Sequence, residues 1–158
     1  MTYNIRYDDT RDSINGWQAR KKAVIKIMAE SEAGIIGVQE ALLHQMKDID
    51  HTLLDYEYVG VARDDGYEHG EFSAIFYDTT QFKIIKNQTF WLSDMPERPS
   101  YGWDAAFKRI CTAALFKHRE SNQEFWIFNT HFDHMGIQAR KKSAELVLEK
   151  INQLNPDH

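Results

Sequence analysis

The apolar and polar positions change period several times along the chain. Residues 1–7 read as a short strand, and residues 8–16 as a polar loop. Between residues 17 and 32, Val24, Ile27, Met28 and Ser31 share one helical face. Arg20, Lys21, Lys22, Lys26 and Glu30 lie mostly elsewhere, which predicts a helix with Gly34 as its stop. Residues 35–38 form a short apolar run that suits a buried strand, and residues 41–50 predict a second helix. Strands are predicted over 56–62, 73–77 and 82–92, and a loop over 95–108, where Pro96, Pro99 and Gly102 fall. Residues 110–116 and 125–128 are apolar on both faces, as in strands covered on both sides. Over 136–154, Ala144, Val147, Ile151 and Leu154 recur at helical spacing and predict a third helix. The order β, α, β, α, several strands, α predicts an α/β (α+β) fold, a mixed sheet with helices packed on it. The sequence stops at residues 155–158, just past a helix, where another strand is expected.

Composition narrows the class. A chain of 158 residues predicts one domain, spanning 1–158, and 42% hydrophobic with 27% charged residues excludes global disorder. Cys111 is the sole cysteine, which rules out an internal disulfide and any multi-cysteine metal site. No apolar run approaches the ~18–20 residues of a membrane span. Residues 1–6 are not a signal peptide, so a cytoplasmic protein and one exported after loss of an upstream leader are both open. The charge balance, 19 − 24 = −5, weighs against a broad basic grip on nucleic acid. It leaves room for an enzyme that meets phosphate at one metal-filled spot.

Several polar residues sit where apolar strands run out: Asn4, the pair Gln39-Glu40, Arg109, and Asn129-Thr130-His131. Strand ends are where α/β proteins hold ligands, because a rigid sheet aims side chains into open space. Glu40 is either a cap or salt-bridge partner, or a ligand to a hard cation such as Mg²⁺, which needs only one or two protein carboxylates. Asn4 suits such a site or a backbone bond. His131 is either a packing residue or a proton-transfer and hydrogen-bonding group near neutral pH. Glu71, just before the 73–77 strand, is a candidate to orient it. The run His131-Phe132-Asp133-His134 lacks zinc-site spacing, and Asp64-Asp65-Gly66 with Glu71 lacks the ligand alternation of a calcium loop. No dinucleotide-binding, P-loop or nucleophile-elbow motif is present. Lys21-Lys22 and Arg140-Lys141-Lys142 read as solvated helix faces, and Trp17, Phe90, Trp91, Trp103 and Trp126 as core or loop anchors.

Taken in order, residues 2–7 (TYNIRY), 37–40 (GVQE), Gly70-Glu71 before 73–77 (SAIFY), Arg109, and 129–133 (NTHFD) resemble the endonuclease/exonuclease/phosphatase superfamily. Residues 63–66 (RDDG) and 89–93 (TFWLS) are similar to a bacterial subgroup of it. The resemblance implies a four-layer α/β sandwich of the deoxyribonuclease I-like type, incomplete here, and Mg²⁺- or Mn²⁺-dependent hydrolysis of a phosphodiester or phosphomonoester. It implies Glu40 as principal metal ligand with Asn4 beside it, His131 on the phosphate with Glu71 in support, and Arg109, Arg63 and Asn129 as phosphate or substrate contacts.

Two of the family's motifs, Gly-Asp-x-Asn and a late Ser-Asp-His, do not occur. Asp50-His51, Asp133-His134 and Asp157-His158 do not replace the latter in position or context. The expectation is therefore an N-terminal half, close to inactive alone, whose other sheet and general base come from a second half. An exposed inner sheet face would then drive self-association or pairing with that half. The alternative is a non-catalytic module that binds a phosphorylated ligand. Family members act on DNA, RNA, phospholipid and sugar phosphates with one core, and no motif here selects among them.

Overall fold

The single mixed sheet expected from the element order is two sheets, in a computed structural model that describes residues 1–156. Strands β1 (Thr2–Asn4), β2 (Ile35–Ala41), β3 (Tyr56–Val59) and β4 (Phe72–Asp78) form the first, in the order β1-β2-β4-β3. Only the β1–β2 pair is parallel. Strands β5 (Phe82–Trp91), β6 (Ile110–His118) and β7 (Glu124–Thr130) form the second, an antiparallel meander. The helices are α1 (Trp17–Glu30), α2 (Leu43–Asp50) and α3 (Ile137–Leu154). A 3₁₀ segment, Thr10–Asn15, lies inside the expected polar loop. Helix α1 stops two residues short of the expected end, and Glu32 then takes a left-handed φ of 50°. Asp157-His158, dismissed above as a family motif, lies outside the described residues.

Period-two alternation builds four layers from these elements. On β4, Phe72, Ala74 and Phe76 face α1 and α2, where they pack with Trp17, Val24, Met28, Met46 and Ile49. Ile75 and Tyr77 point the other way, onto Ala114 and Phe116 of β6, with Phe125 and Ile127 of β7 beside them. On the far side of the second sheet, Cys111 and Ala113 meet Trp126, Phe128 and the α3 residues Leu146 and Val147. Helices, sheet, sheet and helix therefore stack in that order. Burial pushes the Cys111 thiol up to about 12, which makes it an inert core group.

This arrangement corrects one expectation. The chain supplies strands to both sheets, so their inner faces cover each other instead of lying bare. What stays open among the described residues is strand edges. β1 and β7 end their sheets next to a groove of about 240 Å³ lined by Thr2, Gly37, Ile127 and Asn129. No helix among the described residues is long and apolar enough to cross a membrane.

Asn129 joins the sheets. It shares the parity of Phe125 and Ile127, so it points at the first sheet. Its Nδ2 donates to Val38 O at 2.9 Å and Ala74 O at 2.7 Å, and its Oδ1 accepts from Gln39 Nε2 at 2.6 Å. Gly37 makes room for it, because a Cβ there would stand 3.0 Å from the Asn129 amide. With both N–H groups spent and the residue buried, Asn129 is a bolt between sheets and not the substrate contact expected from its place at a strand end.

Candidate active site

Glu40 reaches the site because β2 is irregular. Its neighbours Gln39 and Ala41 pair with Ser73 and Phe72, which leaves Glu40 as the extra residue of a bulge, with φ at 65°. Strict alternation would send Glu40 toward α1 and α2. The bulge turns it out instead, at a backbone cost of roughly 1–2 kcal/mol for a left-handed non-glycine residue.

Two neutral donors then hold its carboxylate. Asn4 Nδ2 donates to Oε1 at 2.8 Å, and the Tyr7 amide donates to Oε2 at 3.2 Å. Asn4 Oδ1 accepts from the Arg6 amide at 2.9 Å. That bond fixes the orientation of the Asn4 amide: its NH₂ faces Glu40, so Asn4 orients the carboxylate and does not offer its oxygen alongside it. Behind the segment, fully buried Gln45 accepts from the Asp8 amide at 3.1 Å and donates to Arg6 O at 3.0 Å. Arg20 donates to Ile5 O at 2.7 Å. The loop that carries Tyr7 is thus tied to both α1 and α2.

His131 arrives from the end of β7, two residues after Asn129 and on the same side. Its Nε2 lies 3.8 Å from Glu40 Oε1, and its Nδ1 faces Arg109 NH1 at 3.1 Å. Burial lowers its pKa from the ordinary value. The Arg109 charge lowers it further and the Glu40 charge opposes both. Arg109, just before β6, is itself held by the fully enclosed Asp133 carboxylate at 3.2 Å.

Glu71 does not support His131 as expected. Its Oε2 accepts from Arg63 NH1 at 2.7 Å, and no hydrogen bond joins it to His131 among the described residues. The reason is local: Arg63 N donates to Glu71 O at 3.1 Å, so the two residues face each other across one loop. Burial raises the Glu71 pKa, the Glu40 charge adds to this, and Arg63 opposes it. The Arg63 Nε is buried without a hydrogen-bond partner, with Asp64 Oδ1 the near carboxylate at 3.9 Å.

Together Glu40, Glu71, Arg63, Arg109 and His131 line one cleft of about 510 Å³, with Tyr7, Phe107 and His134. Of the candidates from sequence, the cleft gathers these five, with Asn4 just behind Glu40, and leaves out Asn129. Sequence reasoning missed Tyr7 and Phe107 and set His134 aside. His134 closes the run 131–134, whose spacing fits no zinc site, and nothing local marks its place beside Arg109. A second hollow, about 480 Å³ between α1 and α2, is lined by Lys21, Lys22 and Lys26. Lys21 pairs with Asp48 at 3.2 Å and Lys26 with Glu30 at 3.5 Å, as solvated helix faces do.

The donor set discriminates among metals. Among the described residues, no three His, Cys, Asp or Glu side chains converge as a ligand group. One oriented carboxylate, with the second engaged by Arg63, suits a hard cation that keeps most of its shell as water and phosphate oxygen. Mg²⁺ and Mn²⁺ fit that description, and a tetrahedral N/S zinc site does not.

Asp133 anchors the cationic side of the cleft. Burial works to raise its carboxyl. The amides of Gly136, Ala106 and Met135, with Arg109, outweigh that and hold it well below the usual carboxylate range. A depressed carboxyl contributes stability that is complete above its unfolded pKa, ~4, and is lost as pH falls toward the folded value. Asp133→Ala leaves the Arg109 charge buried and unpaired, and is expected to cost about 3–5 kcal/mol. Urea unfolding at pH 7 measures the loss. Repeated at pH 3, the gap between variant and wild type should narrow.

No protein-family model matches the chain. An endonuclease/exonuclease/phosphatase family protein of Bacteroides thetaiotaomicron is 44% identical, with a TM-score of 0.96 over 99% of this chain and 57% of that one. A mannosyl-6-phosphatase of the same organism is also 44% identical, with a TM-score of 0.96 over 99% of this chain and 59% of that one. An uncharacterised protein of Acanthamoeba polyphaga mimivirus is 32% identical over 149 residues, 89% of this chain and 54% of that protein. Similar proteins are therefore viral as well as bacterial, wider than the bacterial subgroup expected from residues 63–66 and 89–93. The chain spans about half the length of the mimivirus protein and under two thirds of the solved ones. Its two facing sheets, covered by helices on both sides, and its likeness to these structures have one meaning: the chain belongs to the endonuclease/exonuclease/phosphatase superfamily.

Proposed function

We propose that the whole protein is a divalent-cation-dependent phosphoesterase whose substrate is a phosphomonoester of a small polar molecule, in the manner of a sugar phosphate. The observation that carries this is the meeting of Glu40 and His131 in one cleft, 3.8 Å apart, although they come from different sheets. Glu40 holds Mg²⁺ or Mn²⁺, and Asn4 and the Tyr7 amide keep the carboxylate aimed. When bound, the cation neutralises charge on the phosphoryl oxygens and polarises the ester. His131 donates a hydrogen bond to a phosphoryl oxygen where charge develops. Arg63, with an unspent buried N–H, contacts the phosphate, and Glu71 keeps its guanidinium in place. The sugar-phosphate preference is supported by the mannosyl-6-phosphatase at 44% identity, and the net charge of −5 agrees, since it disfavours long nucleic acid.

A non-catalytic phosphate-binding role is the second reading, favoured by the absence of the Gly-Asp-x-Asn and Ser-Asp-His motifs from these 158 residues. We infer that the groups orienting and activating water come from elsewhere in the whole protein. The open edges of β1 and β7 are where further strands, from that portion or a second copy, would add.

Metal removal separates the readings. The whole protein should hydrolyse a sugar 6-phosphate, lose turnover in EDTA and regain it with Mg²⁺ or Mn²⁺. The 158-residue chain alone should stay near the uncatalysed rate under the same conditions. Turnover that ignores EDTA would remove the cation from the mechanism. A whole protein that binds phosphate without hydrolysing any ester would favour the binding module.

A further inference from the structure

Arg109 is the best enclosed cation of the cleft, with 5% of its side chain exposed. Its three nitrogens each face a different side chain. Nε donates to Asp133 Oδ1 at 3.2 Å, NH1 lies 3.1 Å from His131 Nδ1, and NH2 lies 3.2 Å from His134 Nδ1. A guanidinium offers only donors and does not lose its proton in a protein. Each imidazole facing it must therefore accept at Nδ1. The ring proton of each then sits on Nε2, and both rings are neutral.

The second ring is the more exposed of the two and is held by a stack. His134 stacks on Phe107, with centroids 6.0 Å apart and planes inclined by 24°. Phe107 in turn lies over the guanidinium carbons of Arg63, at 5.0 Å, and Arg109, at 5.9 Å. Both imidazoles line the cleft, and neither Nε2 has a hydrogen-bond partner among the described residues. Asp133 completes the support: it takes amide N–H bonds from Met135 at 3.0 Å and Gly136 at 2.8 Å and passes that rigidity to Arg109.

We propose that Arg109 is a positioning residue that locks His131 and His134 into matching Nε2–H tautomers, and that His134 is a second oxyanion-binding residue of the cleft, donating to the same phosphate group as His131. The proposal rests on the phosphoesterase reading above and adds a residue to it. Uncharged donors suit this cleft. They stabilise phosphoryl oxygens without repelling a divalent cation, as an imidazolium beside it would. A phosphomonoester also carries several anionic oxygens, so a second aimed donor has a partner. The arginine assigned to phosphate by resemblance thus works through two imidazoles.

The test uses the whole protein with ¹⁵N-labelled histidine and long-range ¹H–¹⁵N correlation at neutral pH. His131 and His134 should both show an unprotonated Nδ1 and a protonated Nε2. A proton on Nδ1 of either ring overturns the lock. Arg109→Lys keeps a cation for Asp133 but has no fork, so at least one ring should become a tautomer mixture. If both stay pure Nε2–H, Arg109 is not the cause and the lock is overturned. Inorganic phosphate with Mg²⁺ should then shift the Nε2 signals of both rings. His134→Ala should weaken phosphate binding about tenfold or more, as expected for a lost hydrogen bond to a charged group, and His134→Gln should recover most of it. If His131 responds and His134 does not, the role of His134 is overturned while the phosphoesterase reading stands. If neither responds, both fall.

Discussion

Glu40→Gln in the whole protein should lower Mg²⁺-dependent hydrolysis by about 10³-fold or more, because the cation loses its one committed carboxylate. The variant is nearly isosteric, so the bulge and its left-handed backbone have no reason to change. The chemistry changes twice. Gln carries no charge to hold a divalent cation. Its amide NH₂ must also face one of the two donors now bonded to the carboxylate, Asn4 Nδ2 or the Tyr7 amide, and two donors cannot bond each other. Calorimetric titration with Mn²⁺ reads the first effect, and kcat at saturating metal reads the sum. Turnover within about tenfold of wild type would place the cation on another group, since loss of a sole ligand exceeds the 10–100-fold typical of outer-shell changes.

The parts of the site differ in how far the sequence announces them. Asn129 and His131 stand two residues apart at the end of the apolar run 125–128, so strand periodicity alone puts them on a common side. Their different fates could not be read that way. A strand-end asparagine that bolts two sheets and one that meets a ligand have the same local sequence. The partners of Asn129 are backbone carbonyls 91 and 55 residues away. Glu40 shows the opposite case. The residue type was informative, but the direction of its side chain comes from a bulge that no turn residue marks, since the left-handed position is held by glutamate itself. The split into two sheets was hidden in the apolar pattern and came only with the family resemblance, which implies the four-layer sandwich that the chain forms. Residues 110–116 and 125–128 have two apolar faces, which fits the centre of one sheet or a sheet packed between a second sheet and a helix. Loop pairing decided Glu71: adjacency to Arg63 across residues 63–71 won over a longer reach to His131.

His131→Ala should reduce kcat of the whole protein by about 10²–10³-fold, the usual effect of removing one donor aimed at a developing oxyanion. The loss should fall on kcat more than on KM, because such a bond strengthens as charge grows on the phosphoryl oxygens. The acid limb of the pH profile carries a second check. Burial and the Arg109 charge hold the His131 pKa below its ordinary value, so the neutral ring persists further to the acid side than a free imidazole does. Protonation at lower pH places a proton on Nδ1, against the Arg109 N–H that now donates to it, and the imidazole must turn or leave. Activity should therefore hold from neutral pH downward until that lowered pKa is reached, and then fall. His131→Gln, which keeps an N–H near the place of Nε2, should retain part of the rate and lose that acid limb. A His131→Ala enzyme with near-wild-type kcat would show that the phosphoryl charge is carried by the cation and Arg63 without the imidazole.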